Sequence, residues 1–280
     1  MPVQTGVCPA VRHNQPGGEI QYLTLIGGIR LIEFYGSTHV GLVRKTNQDC
    51  FACAALSDTL AFAVLCDGMG GKNGGNIASQ IATDHSADTL RRGLHDDMTP
   101  TTLQGVMQSA IAGANALVYE RAKQDPVLKG MGTTLILAVY WQGVLYIGYV
   151  GDSRVYCVSP REELQLTKDH TVVQMLVDIG EITEKDAENH PKRHYITRAV
   201  GVAPEVSADF LERALSPDDI VLLCSDGLYH YLEPGSLYTL LRRCAGEKSA
   251  HCLIDLANQG GGMDNVTAVV MAQTTPAMGE

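Results

Sequence analysis

Five aspartates sit where short apolar runs stop or start. Asp67-Gly68 follows directly on the run 60–66 and Asp226-Gly227 on the run 220–225. Asp264-Asn265 precedes 266–272, Asp49 precedes 50–56, and Asp152 lies in the link 151–154 between 144–150 and 155–158. One Asp-Gly alone is a turn signal. Two after matched apolar runs, with Asp264 beside a third, describe carboxylates carried to strand ends, where they can converge in a partly dry cleft. Two unit charges about 4 Å apart there repel by around 4 kcal/mol at an effective dielectric near 20, so such a cluster demands cations. An all-oxygen donor set suits hard ions, Mg²⁺ or Mn²⁺, better than zinc. Gly68 and Gly227 belong to the same picture, because without a Cβ a backbone carbonyl can approach a metal or water closely.

The elements that must position these acids are legible as periodicity. Runs at 31–38, 50–56, 60–66, 133–140, 144–150, 155–158, 220–225 and 266–272 are short and rich in Val, Leu, Ile, Tyr and Ala, as strands are. Helical spacing covers 76–94 and 101–123, the second introduced by Thr99-Pro100, with shorter helices expected at 172–179 and 249–259. Strands joined by tight turns, with the long helices bunched between them, predict an antiparallel sheet core covered by helices and not a βαβ repeat. Residues 1–30, with Pro2, Pro9, Pro16 and Gly17-Gly18, show little periodicity and read as a flexible N-terminal extension without assigned chemistry.

Composition removes several function classes. Of 280 residues, 45% are apolar and 19% charged, which excludes a disordered or fibrous chain. Apolar stretches fall far short of the about 18 residues a membrane span needs, and the N-terminus has no secretory pattern. A net charge of -10 repels phosphate backbones, so nucleic acid is not an expected partner. The eight cysteines are scattered through apolar runs, which fits a reduced cytoplasm with no need of disulfides. Cys50 and Cys53 have no second pair for zinc and would face opposite sides of a strand. The glycine-rich segment 67–75 places Asn73 where a Walker loop has Ser or Thr, so it is not read as a nucleotide loop. His190 and His194 bracket Pro191 and read as surface loop.

Six segments in order then carry a resemblance: 41–49 with Arg44, Asn47, Gln48 and Asp49, followed by 67–71, 132–134, 151–154, 225–227 and 262–267. Over about residues 32–273 the chain resembles the metal-dependent PPM (type 2C) Ser/Thr protein phosphatases, the compact bacterial members in particular. The resemblance implies an α+β fold, a four-layer αββα sandwich of two mainly antiparallel sheets flanked by helices. It would span 31–275, with a flap at about 166–198. The implied activity is hydrolysis of phosphoserine and phosphothreonine in proteins by direct attack of a water bridging two Mn²⁺ or Mg²⁺ ions. By position, Asp67 would bridge both ions, the Gly68 carbonyl would help hold one, and Asp226 and Asp264 would complete the other. Arg44 would bind phosphate through its planar fork, Asp49 would orient a metal-bound water, and Asp152 with Asp226 would hold a third ion. The implied partners are phosphorylated protein substrates and a Hanks-type Ser/Thr kinase that the enzyme opposes, with the protein cytoplasmic and monomeric.

The alternative is a catalytically silent phosphoprotein-binding module of the same fold. Two departures motivate it. Gln48 stands where animal relatives carry a metal-facing Glu, which removes one negative charge and weakens the second metal. Met69 stands where they carry the His regarded as general acid, leaving the departing alkoxide to another proton donor.

Overall fold

A computed structural model of the chain describes residues 11–13, 20–22, 31–244 and 249–274. Two sheets face each other. The first runs β1 (Val11–His13), β4 (Asp49–Ala55), β5 (Leu60–Met69), β7 (Leu135–Trp141), β8 (Val144–Val150), β11 (Asp209–Ala214), with β6 (Gly132–Thr133) paired to the end of β5. The second runs β10 (Glu163–Gln165), β9 (Arg154–Val158), β12 (Ile220–Cys224), β13 (Val266–Thr274), β3 (Leu31–His39), β2 (Ile20–Tyr22). All pairings between these strands are antiparallel.

Side-chain alternation explains why the central strands read as unbroken apolar runs. On β5, Ala61, Ala63 and Leu65 face the other sheet, while Leu60, Phe62, Val64 and Cys66 face the helices α1 (Gly71–Gly93) and α2 (Pro100–Gln124). On β12, Val221 and Leu223 face inward. Ile220, Leu222 and Cys224 face α5 (Asp226–Tyr229), α6 (Leu237–Arg243) and α7 (Ser249–Gln259). With both faces of each sheet covered there is no polar face to alternate with. Three apolar layers thus separate four structural layers, the αββα order expected. Phe51 is wholly buried between the sheets, and Gly36 opposite it leaves the room: a Cβ there would lie 2.2 Å from the ring. Two small helices, α3 (Val172–Asp178) and α4 (Glu184–Glu188), lie in the segment 166–198 outside this frame.

Local signals set the boundaries. Thr99 caps α2 by accepting a hydrogen bond from Thr102 N, and Pro100 occupies the first helical position, where its missing N–H is no loss. The structure departs from the periodicity in several places. β5 runs on through Met69, so Asp67 and Gly68 lie inside the strand and not past it, because β6 extends the pairing to Gly68 and Met69. The run 133–140 accordingly divides into β6 and β7. α1 begins at Gly71 and not at 76; its early glycines disfavour a helix by propensity but permit tight packing, as the site shows. Strands β10 and β11 and helices α4 to α6 were not expected. β11 is half-exposed on both faces, so its residues carry no clear alternation. Within 1–30, expected to be flexible, residues 11–13 and 20–22 pair with β4 and β3 as edge strands; the rest of that extension lies outside the described residues.

The reading of all cysteines as reduced is also corrected. Cys244 and Cys252 form a disulfide, their Cα atoms 6.2 Å apart where the end of α6 meets α7. Cys50, Cys53, Cys66, Cys157 and Cys224 are buried thiols. Cys50 faces α1 and Cys53 the second sheet, on opposite sides of β4 as expected. No helix among the described residues is long and apolar enough to cross a membrane.

The inter-sheet layer yields the first test. Phe51→Ala is expected to lower unfolding stability by about 3–5 kcal/mol in denaturant titration, whereas Leu117→Ala, on the solvent side of α2, stays within about 0.5 kcal/mol. A Phe51→Ala midpoint equal to the parent's contradicts the packing described.

Candidate active site

One cavity of about 750 Å³ opens where both sheets end, and its wall includes Arg44, Asp67, Gly68, Asp152, Asp226 and Asp264. Six of the seven residues singled out from the sequence therefore share one cleft. The seventh, Asp49, lies beneath it, fully buried and directly opposite Asp67 in the β4–β5 register.

Each acid is held by neighbours whose types explain its motif. The Asp67 backbone is gripped by the segment 132–134. Its N–H donates to Thr134 Oγ1 at 2.9 Å, and its carbonyl accepts from Thr133 Oγ1 at 2.9 Å and from Thr134 N at 2.8 Å. Thr134 in turn bonds Ser153 at 2.8 Å, tying Asp67 to the turn that carries Asp152. That turn is fixed from behind, where Gly151 N donates to His170 Nδ1 at 3.1 Å. Asn265 pins the 40–48 loop that bears Arg44: its Oδ1 accepts from Gln48 N at 2.8 Å, while its Nδ2 donates to Val40 O and Thr46 O. Arg44 donates to Asp264 at 2.7 Å across the mouth.

Gly68 and Gly227 are required by close approach. A Cβ on Gly68 would lie 2.1 Å from Gly75 O and 2.7 Å from Gln48 O; one on Gly227 would lie 2.0 Å from Asn265 O. The glycines let α1 and the 264–265 segment press against the acid-bearing backbone. This is the reason α1 tolerates Gly75, which needs the same clearance from Gly68 O.

The electrostatics are those of an acid cluster withdrawn from water. Burial pushes Asp49 up to about 7, against the hydroxyl bonds from Thr267 and Ser225 that lower it, with Asp226 and Asp264 adding repulsion. Asp152 is pushed up to about 7, chiefly by burial and then by Asp226. Asp226 is raised to about 6 by burial and Asp264, although it is hydrogen-bonded to Asp67. Asp67 is raised well above the ordinary carboxylate range by burial and then by Asp49, Asp226, Asp152 and Asp264. Cys224 and Cys66, beside the acids, are driven up by burial as well, Cys224 to about 12, so neither thiol is a nucleophile.

The donor set fits hard divalent cations. The carboxylates converge with no thiolate on the wall, and Asp49 offers a buried oxygen, Oδ1, that has no hydrogen-bond partner among the described residues. Its other oxygen is saturated by Ser225 Oγ and Thr267 Oγ1, both at 2.7 Å. Sequence reasoning missed Ser225 and Thr267 as clamps on Asp49 and Asn265 as the anchor of the Arg44 loop. All three stand inside the quoted motifs, but the role appears only when residues some 200 positions apart meet. It also set aside His194, which lies on the cavity wall with Ile196, both from the segment 166–198. Gln48 and Met69 line the wall too, as a neutral amide and a thioether.

Comparison with known proteins identifies the family. The family profile described as Protein phosphatase 2C matches residues 37–253. The serine/threonine protein phosphatase PstP of Mycobacterium tuberculosis is 38% identical over 230 residues, 82% of this chain but 43% of that protein, so the chain spans less than half of that relative's length. The serine/threonine phosphatase stp of Listeria innocua is 34% identical over 236 residues, 84% of this chain and 93% of that protein. A crystal structure of the catalytic domain of PstP in complex with 2 manganese ions matches with a TM-score of 0.73 at 33% identity, covering 88% of this chain and 99% of that one.

The raised acids carry a signed prediction. Native protein retains protons that the unfolded chain loses near pH 4, so this contribution to stability is full below that pH and is lost as pH rises through about 7. The depressed imidazole of His170 acts in the opposite sense below about pH 6.5, which leaves 6.5 to 8 as the diagnostic interval. In chelator, the melting temperature is expected to fall across that interval, and the increase produced by Mg²⁺ is expected to be larger at pH 8 than at 6.5. A Mg²⁺ effect independent of pH contradicts the coupled acid cluster.

Proposed function

The chain belongs to the protein phosphatase 2C family, and from that premise we propose that it is a metal-dependent protein serine/threonine phosphatase acting by direct hydrolysis. The observation that carries the reading is the convergence of Asp67, Asp152, Asp226 and Asp264, from separate strands and turns, on a cavity with Arg44 at its mouth.

In this reading Asp67, the Gly68 carbonyl, Asp226 and Asp264 hold two ions, Mn²⁺ or Mg²⁺, and Asp152 with Asp226 holds a third. Ions so held supply Lewis acidity, lowering the pKa of water and neutralising charge on phosphoryl oxygens. Asp49 is a positioning residue: with Oδ2 bonded by two hydroxyls, its remaining Oδ1 is left to accept a hydrogen bond from a metal-bound water and so would orient it. Arg44, half-exposed and paired with Asp264, presents a planar fork to two phosphate oxygens, and Lys45 on the same wall adds positive charge. Covalent catalysis by thiol has no support, since the cysteines near the acids are buried and protonated.

Met263, exposed and apolar, lines the cavity, and exposed Leu42 and Val43 directly precede Arg44 in the facing loop, with Leu42 N bonded to Gly262 O at 2.7 Å so that the two loops are joined. Such a surface suits the side chains flanking a phosphorylated residue, which supports a protein substrate over a small phosphate ester. The finer expectations belong to the same reading: a Hanks-type kinase acting on the same substrates, and a cytoplasmic setting.

Release of phosphate from a phosphothreonine peptide with Mn²⁺ is the test. Asp226→Asn and Asp67→Asn are each expected to lower kcat by at least about a hundredfold, while Arg44→Ala acts mainly on KM, by about tenfold. Chelation is expected to abolish turnover reversibly. Peptide binding without turnover would instead identify a silent phosphoprotein-binding module.

A further inference from the structure

We propose that His194, Asp226 and His230 form a second kind of metal site, for a borderline divalent ion of the zinc class, at the junction of the 166–198 segment and α5. One donor atom from each residue lies within 4.8 Å of those of the other two. The three come from different places: His194 from the turn after α4, Asp226 from the first position of α5, His230 from the residue that ends it.

The donor chemistry differs from that of the carboxylate wall. Two imidazoles and one carboxylate are ligands that zinc and its neighbours favour and Mg²⁺ does not, and three protein ligands leave a position for water. With metal–ligand bonds of about 2.0–2.1 Å, tetrahedral donors stand roughly 3.3 Å apart. The observed limit of 4.8 Å exceeds this by about 1.5 Å, a gap that the exposed His194 side chain closes by a rotamer change.

The rings are placed for the purpose. They meet edge to face at 5.7 Å and 75°, which lets a nitrogen of each turn toward a common point. Neither ring nitrogen has a hydrogen-bond partner among the described residues, so no bond is broken when an ion enters. His230 is braced from behind: its ring packs on Tyr229 at 4.6 Å, and the Tyr229 ring carries the Arg154 guanidinium at 3.7 Å, itself fixed by Asp169 at 2.7 Å. His190, the nearer histidine in sequence, is not part of the set; its Nδ1 accepts from Lys192 N within its own turn.

Occupancy has two consequences. An ion there ties the exposed segment carrying His194 to the buried end of β12, fixing one wall of the cavity. It also takes an oxygen of Asp226, which the hard-ion centre needs. Resting on the phosphatase reading, this second consequence makes zinc an inhibitor of Mn²⁺-supported turnover by way of the two histidines.

The 280-residue chain saturated with Mg²⁺ is titrated with Zn²⁺ by calorimetry, and with Co²⁺ by visible absorption, for the parent, His194→Ala, His230→Ala and the conservative His194→Asn. The parent is expected to bind one Zn²⁺ at least tenfold more tightly than either alanine variant, and only the parent is expected to show the intense bands of low-coordinate Co²⁺ bound by nitrogen. Unchanged far-UV circular dichroism of His194→Asn, with the same loss of binding, separates ligation from folding. Equal zinc affinity in the parent and both alanine variants, or no zinc event in the parent, overturns the site. Turnover with and without Zn²⁺ is recorded in parallel: zinc binding without any phosphatase turnover would remove the reading under which zinc inhibits while leaving the site intact.

Discussion

Like charges withdrawn from water are the constraint from which the rest of this structure follows. Asp49, Asp67, Asp152, Asp226 and Asp264 influence one another at one end of the sandwich, and burial raises the first four of them above their ordinary range. A fold does not gather carboxylates in this way for stability; each unpaired pair repels, and each desolvated oxygen forfeits hydration. The apo protein meets the difficulty with protons and hydrogen bonds, as between Asp67 and Asp226 and between Arg44 and Asp264. Bound divalent cations would remove it, and the residues that weaken the metal-free fold are the ones whose oxygens suit such ions.

Holding such a cluster in place requires both sheets. Asp49 begins β4 of the first sheet, yet its carboxylate is bonded by Ser225, just past the end of β12, and Thr267, near the start of β13, both in the second. Thr267 is bonded further to Thr38, and Thr38 to Asn47, so a chain of short polar side chains crosses between the sheets just behind the acids. A cross-sheet network of this kind, satisfied except at Asp49 Oδ1, fixes the spacing of the two acid-bearing edges; the three apolar layers supply the adhesion and the network supplies the register.

How much of this could be read beforehand depended on whether partners were near in sequence. The strands beside Asp67, Asp226 and Asp264 were legible because both of their faces are buried, leaving unbroken apolar runs that stop or start near an acid. The αββα order and the family followed from six short segments. β11 was not legible, since a half-exposed edge strand has neither an apolar run nor a clean alternation. The true start of α1 was hidden because Gly74 and Gly75, poor helix formers, are there for clearance from Met131 and Gly68. Ser225 and Asp49 stand 176 positions apart, Thr267 and Asp49 218 apart, so no local pattern announces their bonds. The same is true of His194, whose spatial partner is His230 and not the His190 beside it in sequence.

The central claim is that Asp67, Asp226 and Asp264 jointly hold hard cations. Anomalous diffraction from crystals grown with Mn²⁺, recorded on both sides of the manganese absorption edge, addresses it most directly. The account predicts at least two strong peaks inside the cavity, each within bonding distance of an oxygen of one or more of these three residues. Manganese absent from the cavity at millimolar concentration, or bound only at sites that none of the three touches, would contradict it.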